Sequence, residues 1–128
     1  MTTSAISESP RSLRDIILDA QDIATEQVVV PEWGVTVEVR GMSGLERARF
    51  MEEFSTDDGK LDYARLYPSL LIKTLFDPST AEPVFTDADA DFINTKSGQV
   101  LERIGRIATR LSGMSQDEEE KAVERFPE

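Results

Sequence analysis

Apolar residues along the chain fall first into a helical rhythm, then a strand rhythm, then helical rhythm again. Leu13, Ile16, Ile17 and Ala20 follow the i, i+3, i+4, i+7 spacing that gathers side chains on one face of a helix. Ser12 precedes them, and Asp15 lies three residues later, where a carboxylate favours a helix N-terminus. The pattern predicts a first helix over about 13–23 that covers the core. Val28, Val29 and Val30 then form a β-branched run, and Val35, Val37 and Val39 alternate with Thr36, Glu38 and Arg40. Between them, Pro31-Glu32-Trp33-Gly34 reads as a turn, because Pro31 presets φ and Gly34 accepts left-handed backbone. The result is a hairpin at about 27–40. Such a hairpin is marginal alone in water and must lay its valine face on helices.

Ser43 and Glu46 have the spacing of a capping box, so a second helix should run from Gly44 to Phe54. Phe50, Met51 and Phe54 share one side of it and are expected to pack on the hairpin. The segment 61–76 is richly apolar, with Tyr67, Leu70, Leu71 and Leu75 on one broad face, and is read as the centre of the core. Pro68 predicts a kink or break at Tyr67, with the helix restarting there. Thr86 is placed to cap a short helix. A last substantial helix over 97–111 carries Val100, Ile104, Ile107 and Leu111 as one stripe and ends at Ser112-Gly113. The fold class expected is α+β, mainly α: a small helical domain with one N-terminal β-hairpin. Residues 1–11 are read as a flexible tail, 12–113 as the domain, and 114–128 as an acidic C-terminal helix or tail whose apolar residues are Ala122, Val123 and Phe126.

Composition narrows the chemistry more than it widens it. The chain of 128 residues has 25 acidic against 14 basic side chains, a net charge of -11, which disfavours nucleic-acid phosphates as a partner. It contains no Cys and no His, so thiolate and imidazole nucleophiles, bases and metal ligands are all missing. Asp87, Asp89 and Asp91 invite a calcium reading, but an EF-hand loop counted from Asp87 needs Gly and Glu where Phe92 and Gly98 stand. Asp57, Asp58, Asp87 and Glu46 have no spacing that singles out an acid and a base. No catalytic, cofactor-binding or metal-binding residue is assigned, and no apolar run is long enough for a membrane span.

Two features offer partner contacts. Trp33 at the turn is either an anchor for a partner or a cap folded back on the core, and the second is preferred because Trp is highly buried on average. Arg103, Arg106 and Arg110 form a basic row, either a docking face or, as preferred, a solvated face balancing nearby acids. Val123 and Phe126 are further candidate contacts in the C-terminal segment.

The order of these pieces resembles the tail assembly chaperones of long-tailed bacteriophages. The resemblance extends over about 13–126 and rests on "VPEWG" with its following strand, "SGLERARF", "LYPSLLIKTLFDP", "PVFTDAD" and "LERIGRIATRLSGMS" before an acidic end. It implies a helper without a catalytic motif that binds the tape measure protein, keeps it soluble and helps recruit tail tube protein. It also implies the host cell cytoplasm as its location, absence from the mature virion, and the longer frameshifted form of the chain as a candidate further partner, this chain being the short form. The alternative is a structural virion component such as a tail completion or head–tail connector protein.

Overall fold

The computed structural model describes residues 10–55, 58–60 and 62–114. Strands β1 (Thr25–Val30) and β2 (Val35–Arg40) form where the β-branched residues alternate. Their antiparallel register sets Val28 opposite Val37 and Val30 opposite Val35. Val28, Val30, Val37 and Val39 are buried, whereas Val29, on the other face of the pleat, is exposed. The turn is closed by the Trp33 amide donating to Val30 O at 3.0 Å and the Gly34 amide donating to Pro31 O at 3.1 Å. Gly34 has φ of 69°, the left-handed conformation expected of it.

A third strand, β3 (Leu75–Phe76), extends the sheet in the order β1-β2-β3. Only a hairpin was expected. Two residues are too few to display a strand period, and the sequence places them at the end of a helical run. Leu75 pairs antiparallel with Val39, and the Val84 amide donates back to Leu75 O at 3.0 Å to close the return.

Helix α2 (Gly44–Phe54) opens with the full capping box: Ser43 Oγ accepts from the Glu46 amide, and the Glu46 carboxylate accepts from the Ser43 amide. Contrary to expectation, α2 packs on α3 and the turn before it rather than on the hairpin. The inner face of the sheet is occupied by α5, so Phe50 is buried toward α3 while Met51 stays exposed. The segment 61–76 is broken near Tyr67, as its reading has it. A 3-10 turn (Tyr63–Arg65) gives way to α3 (Leu66–Thr74), so the α-helix starts one residue before Tyr67. Pro68 falls in the first turn of α3, where a missing amide leaves no hydrogen bond unmade. Leu70, Leu71 and Leu75 are buried as the core centre.

A capping box between Thr86 and Asp89 starts a 3-10 turn (Asp87–Asp89) that continues as α4 (Ala90–Ile93), with Ile93 fully buried. The last helix, α5 (Gly98–Leu111), follows Ser97, whose hydroxyl accepts from the Val100 amide. It spans the sheet and α3. Gly105 allows the close approach to α3, since a Cβ there would lie 3.2 Å from the Tyr67 ring. At its C-terminus, Ser112 Oγ accepts from the Met42 amide at 2.9 Å and donates to Ala108 O at 2.7 Å, tying the helix to the base of the hairpin.

The first helix is where the sequence reading fails most clearly. Helix α1 (Leu13–Asp19) is capped by Ser12 as expected, but it ends at Ala20, whose ψ of 137° is extended, short of the expected end at 23. None of its residues is buried. The inner face of the sheet is already filled by α5, and α3 packs on α5 in turn. Helix α1 therefore does not cover the core.

Candidate partner-binding surfaces

The residues singled out for partner contact are largely engaged within the chain. Trp33 is half-buried and packs against the core cluster, in keeping with the capping reading. Beside it, both carboxylate oxygens of Glu32 accept from Arg103, at 2.6 and 3.0 Å. The Arg103 guanidinium, with the backbone amide of Glu32 assisting, holds the Glu32 carboxyl down at about 2 from its usual 4.5. The same pair raises Arg103 above its ordinary value. Arg110 pairs with Glu26 at 2.8 Å, so two members of the basic row pin α5 to β1 and to the turn. Among the described residues Arg106 pairs with Glu102 along its own helix, and it is the most open of the three. The row thus balances acids of its own chain first, and surface pairs of this kind contribute little to stability. Val123 and Phe126 lie outside the described residues.

Two surfaces that the sequence reading assigned otherwise stand out. One is α1, where Leu13, Ile16, Ile17 and Leu18 are 72, 51, 62 and 62% exposed. The other is a groove of about 480 Å³ between α2, α3 and α4. Its floor is apolar, formed by Ala64, Pro68, Ile72 and Ala90. One wall is a closed network: Glu53 accepts from Lys73 at 2.7 Å and from Ser69 at 2.5 Å. Burial works against the Glu53 carboxylate, yet these two donors outweigh it and hold its pKa below the usual value. Asp62, also at the groove, pairs with Arg65 at 3.3 Å. Asp87 and Asp91 on the far side make no side-chain hydrogen bond or ion pair with the described residues. Among the described residues, no group of three or more metal-ligating side chains is brought together.

Comparison with known proteins agrees with this architecture. The family described as phage tail assembly chaperone matches residues 12–122. The chain belongs to that family. A solved structure, that of the bacteriophage HK97 tail assembly chaperone, superposes with a TM-score of 0.57 at 27% identity, covering 77% of this chain and 95% of that one. No curated protein matches. The family is one of chaperones and not of enzymes.

Within this tail assembly chaperone, the sequence carried a usable signal for one of the two open surfaces. The α1 stripe was visible, but the same stripe would serve a core helix. In the sequence Asp87 and Asp91 offer only a failed calcium pattern and, for Asp87, an acid without a paired base; their place beside Pro68 and Ile72 depends on how α3 and α4 pack.

Proposed function

We propose that this chain binds the tape measure protein in the host cell cytoplasm, keeps it soluble, and helps recruit tail tube protein before leaving the assembled tail. The family match over residues 12–122 is the observation that carries this reading. The physical requirement is plain: a long helical protein with unburied apolar surface aggregates until it is enclosed. A strongly acidic helper of net charge -11 adds repulsion between covered segments.

The contact surface proposed is the hairpin tip and the outer side of α5. Trp33 is half-buried there, Val35 is exposed next to the turn, and Arg106 is the open member of the arginine row with Arg103 and Arg110 behind it. Val123 and Phe126 of the C-terminal segment are further proposed contacts, and the longer frameshifted form of the chain is a further proposed partner. Co-expression with the tape measure protein tests the proposal. The tape measure is expected in the soluble fraction and to co-purify with this chain; equal solubility without the chain would sink the reading. Mass spectrometry of purified particles separates it from a virion component, since the chaperone is expected to be absent from them.

A further inference from the structure

Strand β1 has one side paired and one side bare. The Gly41 amide donates to Ala24 O at 2.8 Å, which fixes the alternation of the antiparallel ladder. Glu26, Val28 and Val30 therefore bond to β2, while Thr25, Gln27 and Val29 turn their N–H and C=O groups away from it. The sheet order β1-β2-β3 leaves that side as an edge, and among the described residues no backbone group pairs with it. Edge strands are normally blunted by Lys, Pro or a bulge. Strand β1, which reads TEQVVV in unbroken register over its six residues, has none of the three. Its outer face leaves Val29 66% exposed at this edge.

Helix α5 supplies a floor beside that edge. Arg110 pairs with Glu26 and Arg103 with Glu32, so the two arginines sit at either end of β1. Ile107 lies on the same side of the helix, i+4 from Arg103, and is half-buried. Gly105, on the opposite side, packs against Tyr67 of α3, so the arginine side is the one at the bare edge. Arg106 adjoins it, with 77% of its side chain exposed. A chain of net charge -11 thus gathers three guanidinium groups around one half-buried isoleucine, next to unpaired amides and carbonyls. We propose that an extended segment of the tape measure protein, apolar with one carboxylate, adds to β1 as a fourth strand of the sheet. Its residues opposite Gln27 and Val29 lie on the outer face beside Val29, and the alternate residues fall on Ile107. Arg103 and Arg110 are already matched, which leaves Arg106 to meet the carboxylate; its exposed pair with Glu102 is weak and gives way. Six residues of extended chain, about 20 Å, cover the edge. Backbone pairing asks little of the sequence it holds, which suits a helper that must cover apolar stretches of a long client. This mode of binding rests on the tape measure reading above, since it specifies how that partner is held.

Gln27→Pro tests it, because proline removes an edge amide that β2 does not use and keeps an extended φ. Co-expressed with the tape measure protein, the Gln27→Pro chain should carry about a tenth or less of the soluble tape measure that co-purifies with the wild type. Gln27→Ala, which keeps the amide and loses only the side chain, should capture as the wild type does. Arg106→Glu should lower capture about tenfold, and Arg106→Lys should keep most of it. Circular dichroism melts check that each variant is folded. Hydrogen exchange on the wild-type chain gives a second measurement that needs no variant. The amides of Thr25, Gln27 and Val29 should exchange fast in the chain alone and at least about tenfold slower in the complex, whereas the Val28 amide, bonded to Val37, is slow in both. A Gln27→Pro chain that captures the tape measure like the wild type, or edge amides that exchange equally fast in the complex, overturns strand addition and leaves the tape measure reading standing. A wild type that captures no tape measure overturns both.

Discussion

Helices α1 and α5 carry the same kind of apolar stripe, and the chain treats them in opposite ways. Along α5, Val100, Leu101, Ile104 and Ala108 are buried between the sheet and α3. Along α1, every residue is exposed. Periodicity tells which face of a helix wants cover; it does not tell whether the cover is in the same chain. The sharpest way to break the comparison is one substitution made in both helices. Ile104→Ala should cost about 2–5 kcal/mol, since Ile104 is fully buried and its removal leaves a cavity. Ile16→Ala should change the stability of the dilute chain by about 0.5 kcal/mol or less, because no packing is lost. Urea denaturation of both variants measures the difference. Equal losses would mean that α1 is part of the fold.

A second contrast concerns how each helix is attached. Helix α5 ends against the base of the hairpin, where a Cβ on Gly41 would lie 2.5 Å from the Leu111 carbonyl oxygen. Among the described residues α1 has no buried side chain to anchor it, and it reaches β1 through the segment after Ala20. Gly41→Ala is therefore expected to push α5 from the hairpin and cost about 1–3 kcal/mol. Gly98→Ala, at the other end of α5, meets nothing within 4 Å and should be neutral or slightly stabilising. Thermal melts of the two variants give the check. A harmless Gly41→Ala would show that the anchor yields easily.

The comparison also marks what could be read from residues alone. The hairpin, the Ser43–Glu46 cap, the start of the last helix and its Gly113 terminus are all local chemistry, set by residues within one turn of each other. They were legible for that reason. The β3 strand, the placement of α2 on α3 and the solvent position of α1 are set by which faces compete for the sheet. No spacing encodes that competition. The candidate contacts divide in the same manner. Glu32 was visible only as the second residue of a turn, and its pairing with Arg103 needed a contact between positions 71 apart. The groove needed three elements to meet before Asp87 and Asp91 could border Ile72.

That Glu32–Arg103 pair gives the smallest expected effect and the one with a pH signature. It joins α5 to the hairpin tip across the fold, whereas the Arg11–Asp19 pair of α1 holds only its own helix. The Glu32 carboxyl titrates at about 2 in the fold against 4.5 ordinarily. A depressed carboxylate contributes stability that is fully present above its unfolded value and is lost as pH falls through the folded one. The wild type should therefore exceed Glu32→Gln by a small, constant margin near neutrality. That margin should begin to shrink below about 4.5 and vanish toward about 2. Both groups are partly exposed, so added salt should narrow the margin at every pH. Denaturation midpoints of the two proteins across this range measure it. A margin that persists unchanged through the acid limb would mean that Glu32 acts through its neutral hydrogen bonds, and that charge adds nothing to the link between α5 and the turn.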